Sequence, residues 1–283
     1  MIRIITDSAA DMEKWELEKY NVTCVPLSVS FEEDDRDYGQ VDKDVFYEKL
    51  VGSGVFPKTS QPSPEAFFEK FKEAKDAGDS VVAILLAGEL SGTCQSATIA
   101  KTMCDYEEIY IIDSWAASAG EKALIFEAAK LKDLGCNAKE IAEKIEALKL
   151  RLGLVAGLDT LEYLYKGGRL SKVAAGIGTI ANLKPIIKLA DGGKVVVAEK
   201  SIGVRSTIKH LVKYLQKFDL DESYPIYFLY SYDNTNCKEL IDKVSSAGFR
   251  VDDPDLTNLG STLGSHIGVG AYGFFFFTKN NIN

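Results

Sequence analysis

The sequence predicts an α/β protein with two lobes, a parallel-sheet α/β lobe at residues 1–150 and an α+β lobe at residues 151–283. The length of 283 residues exceeds what one small domain needs. In the first half, short apolar runs alternate with segments of helical periodicity, as in a parallel sheet covered by helices. In the second half, the turn Asp191-Gly192-Gly193 between two short apolar runs indicates a hairpin and therefore antiparallel strands. We place the boundary between the lobes near Arg151.

Local signals define the elements of the first half. The run at 80–86 is continuously apolar, as expected of a strand that is buried on both faces. Ser63-Pro64 supplies a capping hydroxyl and a first-turn proline, and Gly78 ends the helix that they begin. The predicted strands are 3–5, 23–27, 80–86 and 109–112, and the predicted helices are 8–20, 44–50, 64–77, 91–103, 119–134 and 138–150, with a loop at 52–64.

The second half contains a less regular series of elements. The predicted strands are 154–158, 186–189, 195–198, 226–230, a short one near 249–251, and 274–277, and the predicted helices are 161–165, 171–183, 204–218 and 235–247. The segment 264–270 contains too many glycines for an ordinary helix, so we predict irregular backbone there.

Composition and charge exclude several classes of function. The net charge of −9 argues against nucleic-acid binding and against docking on anionic membranes, because both require a basic face. No window contains the roughly 20 apolar residues of a membrane span, and residues 1–11 do not form a secretion signal. Five scattered cysteines without a C-x-x-C motif predict reduced thiols rather than a metal site or a disulfide framework. We therefore expect a cytoplasmic protein without stable membrane insertion.

Hydroxyl-rich turns follow three predicted strands of the first half. They are Thr6-Asp7-Ser8, Leu90-Ser91-Gly92-Thr93 and Asp113-Ser114, and the loop from Thr59 to Ser63 adds further hydroxyls. Parallel strands end at one edge of their sheet, and the turn at 90–93 opens a helix whose free N–H groups favour an anion. Such a neutral, donor-rich socket suits one carboxylate better than a triphosphate. Alternatively, each turn is an ordinary helix cap.

Other polar motifs are less specific. His266 lies between glycines, which indicates either close approach to a ligand or a hydrogen-bonded histidine in a tight turn, whereas His210 is expected on the surface. Residues 268–273 spell G-x-G-x-x-G, but they lead into a strand rather than a helix, so we predict no dinucleotide site. Lys166-Gly167-Gly168-Arg169 either ends a helix or presents Arg169 to a phosphate or a partner.

A set of short motifs in one order resembles the DegV family over essentially the whole chain. The motifs are Thr6-Asp7-Ser8, Pro26-Leu27, Thr59-Ser60-Gln61-Pro62, Leu90-Ser91-Gly92-Thr93, Gln95-Ser96-Ala97, Asp113-Ser114, Gly167-Gly168-Arg169, Lys184-Pro185 and His266 with Gly268. The resemblance implies a lipid-binding protein that is not itself an enzyme, with a long-chain fatty acid in a tunnel of the N-terminal lobe as its only ligand and no cofactor or metal. Some members are FakB subunits of bacterial fatty acid kinase, in which an ATP-binding FakA subunit phosphorylates the bound acid for phospholipid synthesis.

The resemblance also implies roles for individual residues. Thr59 and Ser91 would hydrogen-bond the fatty-acid carboxylate, and His266 would bind it or its phosphorylated form. The supporting residues would be Ser60, Gly92, Thr93 and Ser114, and Arg169 and Arg205 resemble positions that face the kinase subunit or the phosphate. Val269 stands where many members have proline or glutamine, which affects the expected shape of the His266 loop.

Two other functions remain open from the sequence. A serine hydrolase acting on acyl esters would use Ser91 or Ser114 as nucleophile and His266 as base, although Ser91 lacks the G-x-S-x-G elbow. A purely regulatory protein would hold its lipid as a structural component. The apolar residues at 84–86, 97–100 and 116–125 line a tunnel in the first interpretation or form ordinary core.

Overall fold

The computed structural model describes residues 1–32, 34–170, 183–252, 254 and 256–282. The chain forms two compact units, of which the first comprises residues 1–28, 60–150 and 192–194, and the second comprises 29–59, 151–191 and 195–283. One passage between the units falls at Arg151, where the sequence places the lobe boundary, whereas segment 29–59 belongs to the second unit. That the two lobes are separate domains stays a prediction.

The elements follow the predicted alternation. The strands are β1 Ile2–Asp7, β2 Val22–Val25, β3 Ser28–Ser30, β4 Lys58–Ser60, β5 Ser80–Leu85, β6 Ile109–Asp113, β7 Leu152–Gly157, β8 Leu183–Ala190, β9 Lys194–Ile202, β10 Tyr227–Tyr230, β11 Leu256–Asn258 and β12 Tyr272–Phe277. The α-helices are α1 Lys14–Tyr20, α2 Lys43–Ser53, α3 Pro64–Ala77, α4 Thr93–Cys104, α5 Ala119–Asp133, α6 Ala138–Lys149, α7 Glu162–Lys166, α8 Val204–Leu215, α9 Thr235–Ser246 and α10 Ser261–Ile267.

A four-stranded parallel sheet forms the centre of the first unit. Its strand order is β2-β1-β5-β6, and every neighbouring pair is parallel. Asp7 therefore ends β1 beside Val25, and Leu85 ends β5 beside Asp113. All these carboxyl ends lie at one edge, where open α/β sheets bind their ligands. The predicted parallel α/β fold of the N-terminal half is confirmed.

Helices α3 and α4 bury an aromatic and small-residue face on this sheet. Phe67 and Phe71 of α3 pack with Ala97 and Ala100 of α4 and with strand residues of β5 such as Ala83. The predicted limits of α3 are confirmed, because the Ser63 hydroxyl accepts the Ala66 amide and Gly78 adopts φ +69° after the last turn.

A six-stranded mixed sheet forms the centre of the second unit. Its order is β11-β10-β12-β7-β8-β9, with β10 and β11 parallel and the pairs β10–β12, β12–β7 and β7–β8 antiparallel. Phe274 and Phe276 of the central strand β12 pack against Leu211 of α8 and Leu240 of α9. The predicted α+β character of the C-terminal half is confirmed, including the β8–β9 hairpin.

Segment 29–59 joins the second unit through an aromatic cluster. Phe46 and Tyr47 of α2 pack with Phe31 and with Tyr163 of α7. The Tyr47 hydroxyl donates to the Leu259 carbonyl at 2.9 Å. Strands β3 and β4 form a separate two-stranded sheet at the ends of this segment.

Four local predictions were wrong or incomplete. Helix α1 begins at Lys14 rather than near Ser8, because Glu13 and Glu16 form a capping box while Asp11 adopts φ +53°. Strand β4 lies inside the predicted loop at 52–64. Residues 249–251 are not a strand, and β11 pairs with β10 instead. Residues 171–182 of the helix predicted at 171–183 lie outside the described residues, and Leu183 begins β8.

The segment around His266 is helical, contrary to the sequence prediction. Helix α10 includes both Gly264 and His266. A Cβ at Gly264 would lie 2.6 Å from Phe46 Cε1 and 2.9 Å from the Tyr47 hydroxyl oxygen. Tertiary packing therefore requires glycine at this position and overrides its low helix propensity.

The part of the chain that the structure describes contains neither a long apolar helix nor a disulfide. None of its helices is both long and apolar enough to cross a bilayer. All five cysteines are free thiols.

We predict that Phe71→Ala lowers the free energy of unfolding by about 3–5 kcal/mol, because it leaves a cavity between α3 and the sheet. Urea denaturation measures this loss. Phe68→Ala, in the same helix at a partly buried position, should cost clearly less, and equal losses in the two variants would contradict this packing.

Candidate ligand-binding site

The turn after β5 carries Ser91, and it is held by backbone and carboxylate acceptors. The Leu86 amide donates to Asp7 Oδ2 at 2.8 Å, and the Gly88 amide donates to Asp113 Oδ1 at 3.0 Å. The Ser91 amide donates to the Ala87 carbonyl at 3.1 Å. Two strands that flank β5 therefore supply the acceptors that shape this turn.

The hydroxyls of this turn lie directly before α4. The Ser91 and Thr93 hydroxyl oxygens are 2.9 Å apart, and Gly92 is the residue that precedes the first helical residue. The helix thus begins at Thr93, two residues later than predicted. Its first N–H groups and the Ser91 hydroxyl form a neutral cluster of donors, as the socket interpretation requires.

Gln61 is a residue of this region that the sequence indicated only as part of a family motif. Its amide nitrogen donates to the Ser96 hydroxyl at 2.8 Å. A Cβ at Gly92 would overlap the amide end of the Gln61 side chain, so the observed close approach of Gln61 uses the space that glycine leaves. The sequence motifs do not reveal this contact, because Gln61 and Gly92 meet only in the folded chain.

Buried acids lie beneath the same edge of the sheet. Thr6 donates to Glu121 Oε1 at 3.0 Å, while Glu121 Oε2 has no hydrogen-bond partner among the described residues. Burial raises the pKa of Asp7 to about 6 and raises the pKa of Glu121 well above its usual value. The main cause in both cases is burial, which disfavours the charged form of a carboxyl group.

Ser114 lies in the interior of the first unit. It is completely buried, its hydroxyl donates to the Ala116 carbonyl, and it accepts the Ala116 amide, both at 3.1 Å. These two bonds describe a turn former more closely than a ligand donor.

In the second unit, Thr59 and His266 are hydrogen-bonded to each other. Thr59 Oγ1 lies 2.8 Å from His266 Nε2, although the two residues are 207 positions apart. Burial, with a smaller contribution from the charge of Arg169, lowers the pKa of His266 to about 4. The imidazole is therefore neutral at pH 7, and one ring nitrogen carries the proton.

Glycines allow the backbone to approach this histidine. A Cβ at Gly167 would overlap His266 Nδ1, and this nitrogen is buried without a hydrogen-bond partner among the described residues. The Arg169 guanidinium donates to the Gly167 carbonyl at 2.7 Å. The structure thus brings Thr59, His266 and the Gly167–Arg169 turn together.

The tautomer of His266 decides whether the Thr59 hydroxyl is free to donate a hydrogen bond to another group. If Nε2 carries the proton, it donates to the Thr59 oxygen, and the Thr59 hydroxyl proton remains available for a carboxylate. In the other tautomer, Thr59 donates to Nε2 and presents only lone pairs. Of the two tautomers, the Nε2–H form is the one in which Thr59 can donate a hydrogen bond to an anion.

The G-x-G-x-x-G segment has a packing role. Gly268 adopts φ +75°, and a Cβ there would lie 2.5 Å from the ring of Tyr163. A Cβ at Gly270 would lie 2.6 Å from the Asp159 carboxylate. The segment leads into β12 rather than a helix, as its rejection as a dinucleotide motif required. Val269 packs against the aromatic cluster of α2.

The remaining residues named by the resemblance lie at or near the surface. Ser60 is exposed at the end of β4, and Arg205 is exposed in the first turn of α8. Within the described ranges, no group of three or more His, Cys, Asp or Glu side chains is arranged to hold a metal ion.

The contacts do not favour the hydrolase alternative. Ser91 is paired with the Thr93 hydroxyl, Ser114 with the backbone of Ala116, and His266 with Thr59. A serine nucleophile requires an imidazole base at its hydroxyl, and these pairings do not provide one.

The fold and these polar clusters define an α/β protein with a four-stranded parallel sheet, a six-stranded mixed sheet and neutral hydrogen-bonding groups at its candidate site. Comparison with known proteins identifies its family. The DegV family model, described as "Uncharacterised protein, DegV family", matches residues 1–279. The chain belongs to the DegV family.

Three relatives illustrate the similarity. A DegV domain-containing protein of Caldanaerobacter subterraneus subsp. tengcongensis is 36% identical over 178 residues, which span 62% of this chain and 63% of that protein, less than two thirds of its length. A fatty-acid-binding DegV family protein from Thermus thermophilus is 29% identical with a TM-score of 0.88, covering 98% of this chain and 99% of that chain. A stearic-acid-binding protein from Eubacterium ventriosum is 29% identical with a TM-score of 0.86, covering 99% of both chains.

We predict that His266 makes the protein less stable in acid. The unfolded chain protonates this imidazole near pH 6.5 and the folded protein only near pH 4, so stability falls as the pH decreases through that window. The His266 contribution should reach about 3 kcal/mol. Denaturation of wild type and His266→Gln at pH 4 to 7 measures it as a difference in slope.

The matched control is His210→Gln, which removes the other histidine of the chain. Its side chain is 37% exposed beside Glu199. The control should retain the wild-type slope, and a wild-type slope in His266→Gln would show that His266 is not held neutral.

Proposed function

We propose that this protein binds one long-chain fatty acid, with the tail in a tunnel of the first unit and the carboxylate held by Thr59, Ser91 and His266. The observation that supports the proposal best is the 2.8 Å contact between Thr59 and His266. The resemblance assigns both residues to one carboxylate, and the structure independently joins them. The fatty-acid-binding relatives from Thermus thermophilus and Eubacterium ventriosum, which align over nearly the whole chain, support the same ligand class.

Neutral groups suffice for this task. Burying the tail contributes about 0.8 kcal/mol per methylene, so a long chain needs no ion pair for tight binding. The carboxylate requires hydrogen bonds, because an unpaired buried charge is costly. Hydroxyl donors at Thr59 and Ser91 provide them, and the neutral His266 orients the Thr59 hydroxyl. Ser60, Gly92 and Thr93 would support these contacts.

We further propose that the bound acid is presented to a separate ATP-binding kinase subunit. A carboxylate oxygen attacks the γ-phosphorus of ATP, the bond to the bridging oxygen breaks, and acyl phosphate and ADP form. The acyl phosphate then enters phospholipid synthesis. In this scheme the present chain contributes binding and orientation but no catalytic group. Arg169 and the exposed Arg205 would contact the partner or the transferred phosphate. An ATP-dependent partner and five free thiols fit a cytoplasmic protein.

Thr59→Val and Ser91→Ala should each weaken fatty-acid binding about 5- to 150-fold, the effect of losing one donor worth roughly 1–3 kcal/mol. Calorimetry on delipidated protein measures this change, and mass spectrometry of a solvent extract identifies the ligand. Thr102→Val and Ser246→Ala alter exposed hydroxyls that donate to backbone carbonyls of their own helices, so they serve as controls. Unchanged affinity in both site variants would exclude these donors.

Loaded protein, ATP and the kinase subunit from the same organism should together yield acyl phosphate, detected as hydroxamate after trapping with hydroxylamine. Omission of either protein should abolish the product. Fatty-acid binding without formation of acyl phosphate would contradict the kinase partnership and indicate a storage or regulatory protein. Turnover of acyl esters that disappears in Ser91→Ala would instead establish the hydrolase.

A further inference from the structure

Asp7 holds two backbone amides with two different oxygens. Its Oδ1 accepts the Ala9 amide at 2.9 Å, and its Oδ2 accepts the Leu86 amide at 2.8 Å. An ionised carboxylate provides both acceptors. Asparagine has one acceptor oxygen, so its NH₂ group would face one of the two N–H groups and leave it unpaired.

The amide of Leu86 lies at the start of the turn that carries Ser91. Ala87 follows Leu86, and its carbonyl accepts the amides of Leu90 at 2.9 Å and Ser91 at 3.1 Å. The position of the Ser91 backbone thus depends on Ala87. The Leu86 amide, one residue earlier, is hydrogen-bonded to Asp7 at the end of β1. A small rotation of the Leu86 peptide would move the Ser91 hydroxyl.

The surroundings of Asp7 make a carboxylate costly there. The side chain is completely buried, and the groups that face it are acids and thiols: Asp11 after β1, Glu121 on α5, Cys24 on β2 and Cys94 on α4. In the described part of the chain, Asp7 takes part in no ion pair. A group that destabilises the fold at neutral pH calls for a role beyond stability.

We propose that Asp7 is a positioning residue that holds the Ser91 turn ready for the ligand carboxylate, and that protonation of Asp7 releases the turn and weakens the grip on the ligand. This inference rests on the proposed function. Protonation of Asp7 weakens one of the two contacts, because a carboxyl hydroxyl oxygen is a poorer acceptor than a carboxylate oxygen. Weak acidification therefore weakens the same hydrogen bond that Asp7→Asn removes, without a mutation.

The effects on binding and on stability have opposite signs. Burial raises the pKa of Asp7 from 3.8 to about 6, so between these values the folded protein holds a proton that the unfolded chain has lost. Its contribution to the free energy of unfolding is largest below pH 4 and decreases as the pH rises to about 6. Acidification thus favours the fold through Asp7 while it weakens ligand binding. A purely structural residue would change both in the same direction.

Asp113 offers a matched contrast. Its Oδ1 alone accepts both the Gly88 amide at 3.0 Å and the Trp115 amide at 3.2 Å. Asparagine at this position retains both hydrogen bonds through its carbonyl oxygen. The same chemical change, carboxylate to amide, therefore removes a backbone contact at Asp7 and none at Asp113.

The test compares wild type, Asp7→Asn and Asp113→Asn. Affinity for oleate is measured between pH 5.5 and 8 by competition with a fluorescent fatty acid, together with urea denaturation and amide hydrogen exchange. We expect Asp7→Asn to bind about tenfold more weakly than wild type at pH 8, without loss of stability. Relative to Asp7→Asn, wild-type affinity should fall about threefold from pH 8 to 5.5, because Asp7 with a pKa of about 6 is mostly but not fully protonated at pH 5.5, and Asp113→Asn should follow wild type. The ligand's own titration is common to all three proteins and cancels.

Hydrogen exchange separates this inference from the proposed function. The Leu86 and Ser91 amides should exchange at least tenfold faster in Asp7→Asn than in Asp113→Asn. If wild type binds no fatty acid, the proposed function fails, while this exchange difference would still support the hold of Asp7 on the turn. Equal exchange in the two variants, or equal affinity and pH dependence in wild type and Asp7→Asn, would overturn the inference.

Discussion

Backbone amides beyond the carboxyl ends of parallel strands need acceptors in an interior that contains little water. In the first unit, Asp7 provides such an acceptor for the buried Leu86 amide, and Asp113 accepts the Gly88 amide of the same turn at the surface. The turn, the Ser91 hydroxyl and the start of α4 all depend on this satisfaction of buried polar groups, because an unpaired amide would cost more than the turn gains. The architecture of the sheet and the chemistry of the candidate site therefore have the same physical origin.

Burial shifts the pKa values of two ionisable groups near the candidate residues toward their neutral forms. Burial lowers the pKa of His266 to about 4, so this imidazole is uncharged at pH 7, and burial raises the pKa of Glu121 well above its usual value. In the function proposed above, hydroxyl and amide donors would hold the carboxylate, and burial of an apolar tail would supply the affinity. A carboxylate held in this way without a cation would keep its oxygen nucleophilic, which would suit phosphoryl transfer by the proposed partner.

Local signals predicted most elements, and tertiary contacts explain the failures. Ser63, Pro64 and Gly78 identified α3 because capping and helix termination act within a few residues. Helix α10 was missed because Gly264 is required by Phe46 and Tyr47, which are distant in the chain. Strand β11 was placed too early, since the strand that pairs with β10 is selected by pairing rather than by local apolar character.

The sequence alone determined the fold class, the order of most elements, the family resemblance and the hydroxyl-rich turns. These features depend on residues close together in the chain, which set the periodicity, the helix caps and the motifs. Only the tertiary structure decided which of these residues meet. The contact of Thr59 with His266, the Leu86 amide on Asp7 and the approach of Gln61 to Gly92 join residues far apart in the chain. Burial then set the pKa values of Asp7 and His266, and burial is a property of the packed chain rather than of any short segment.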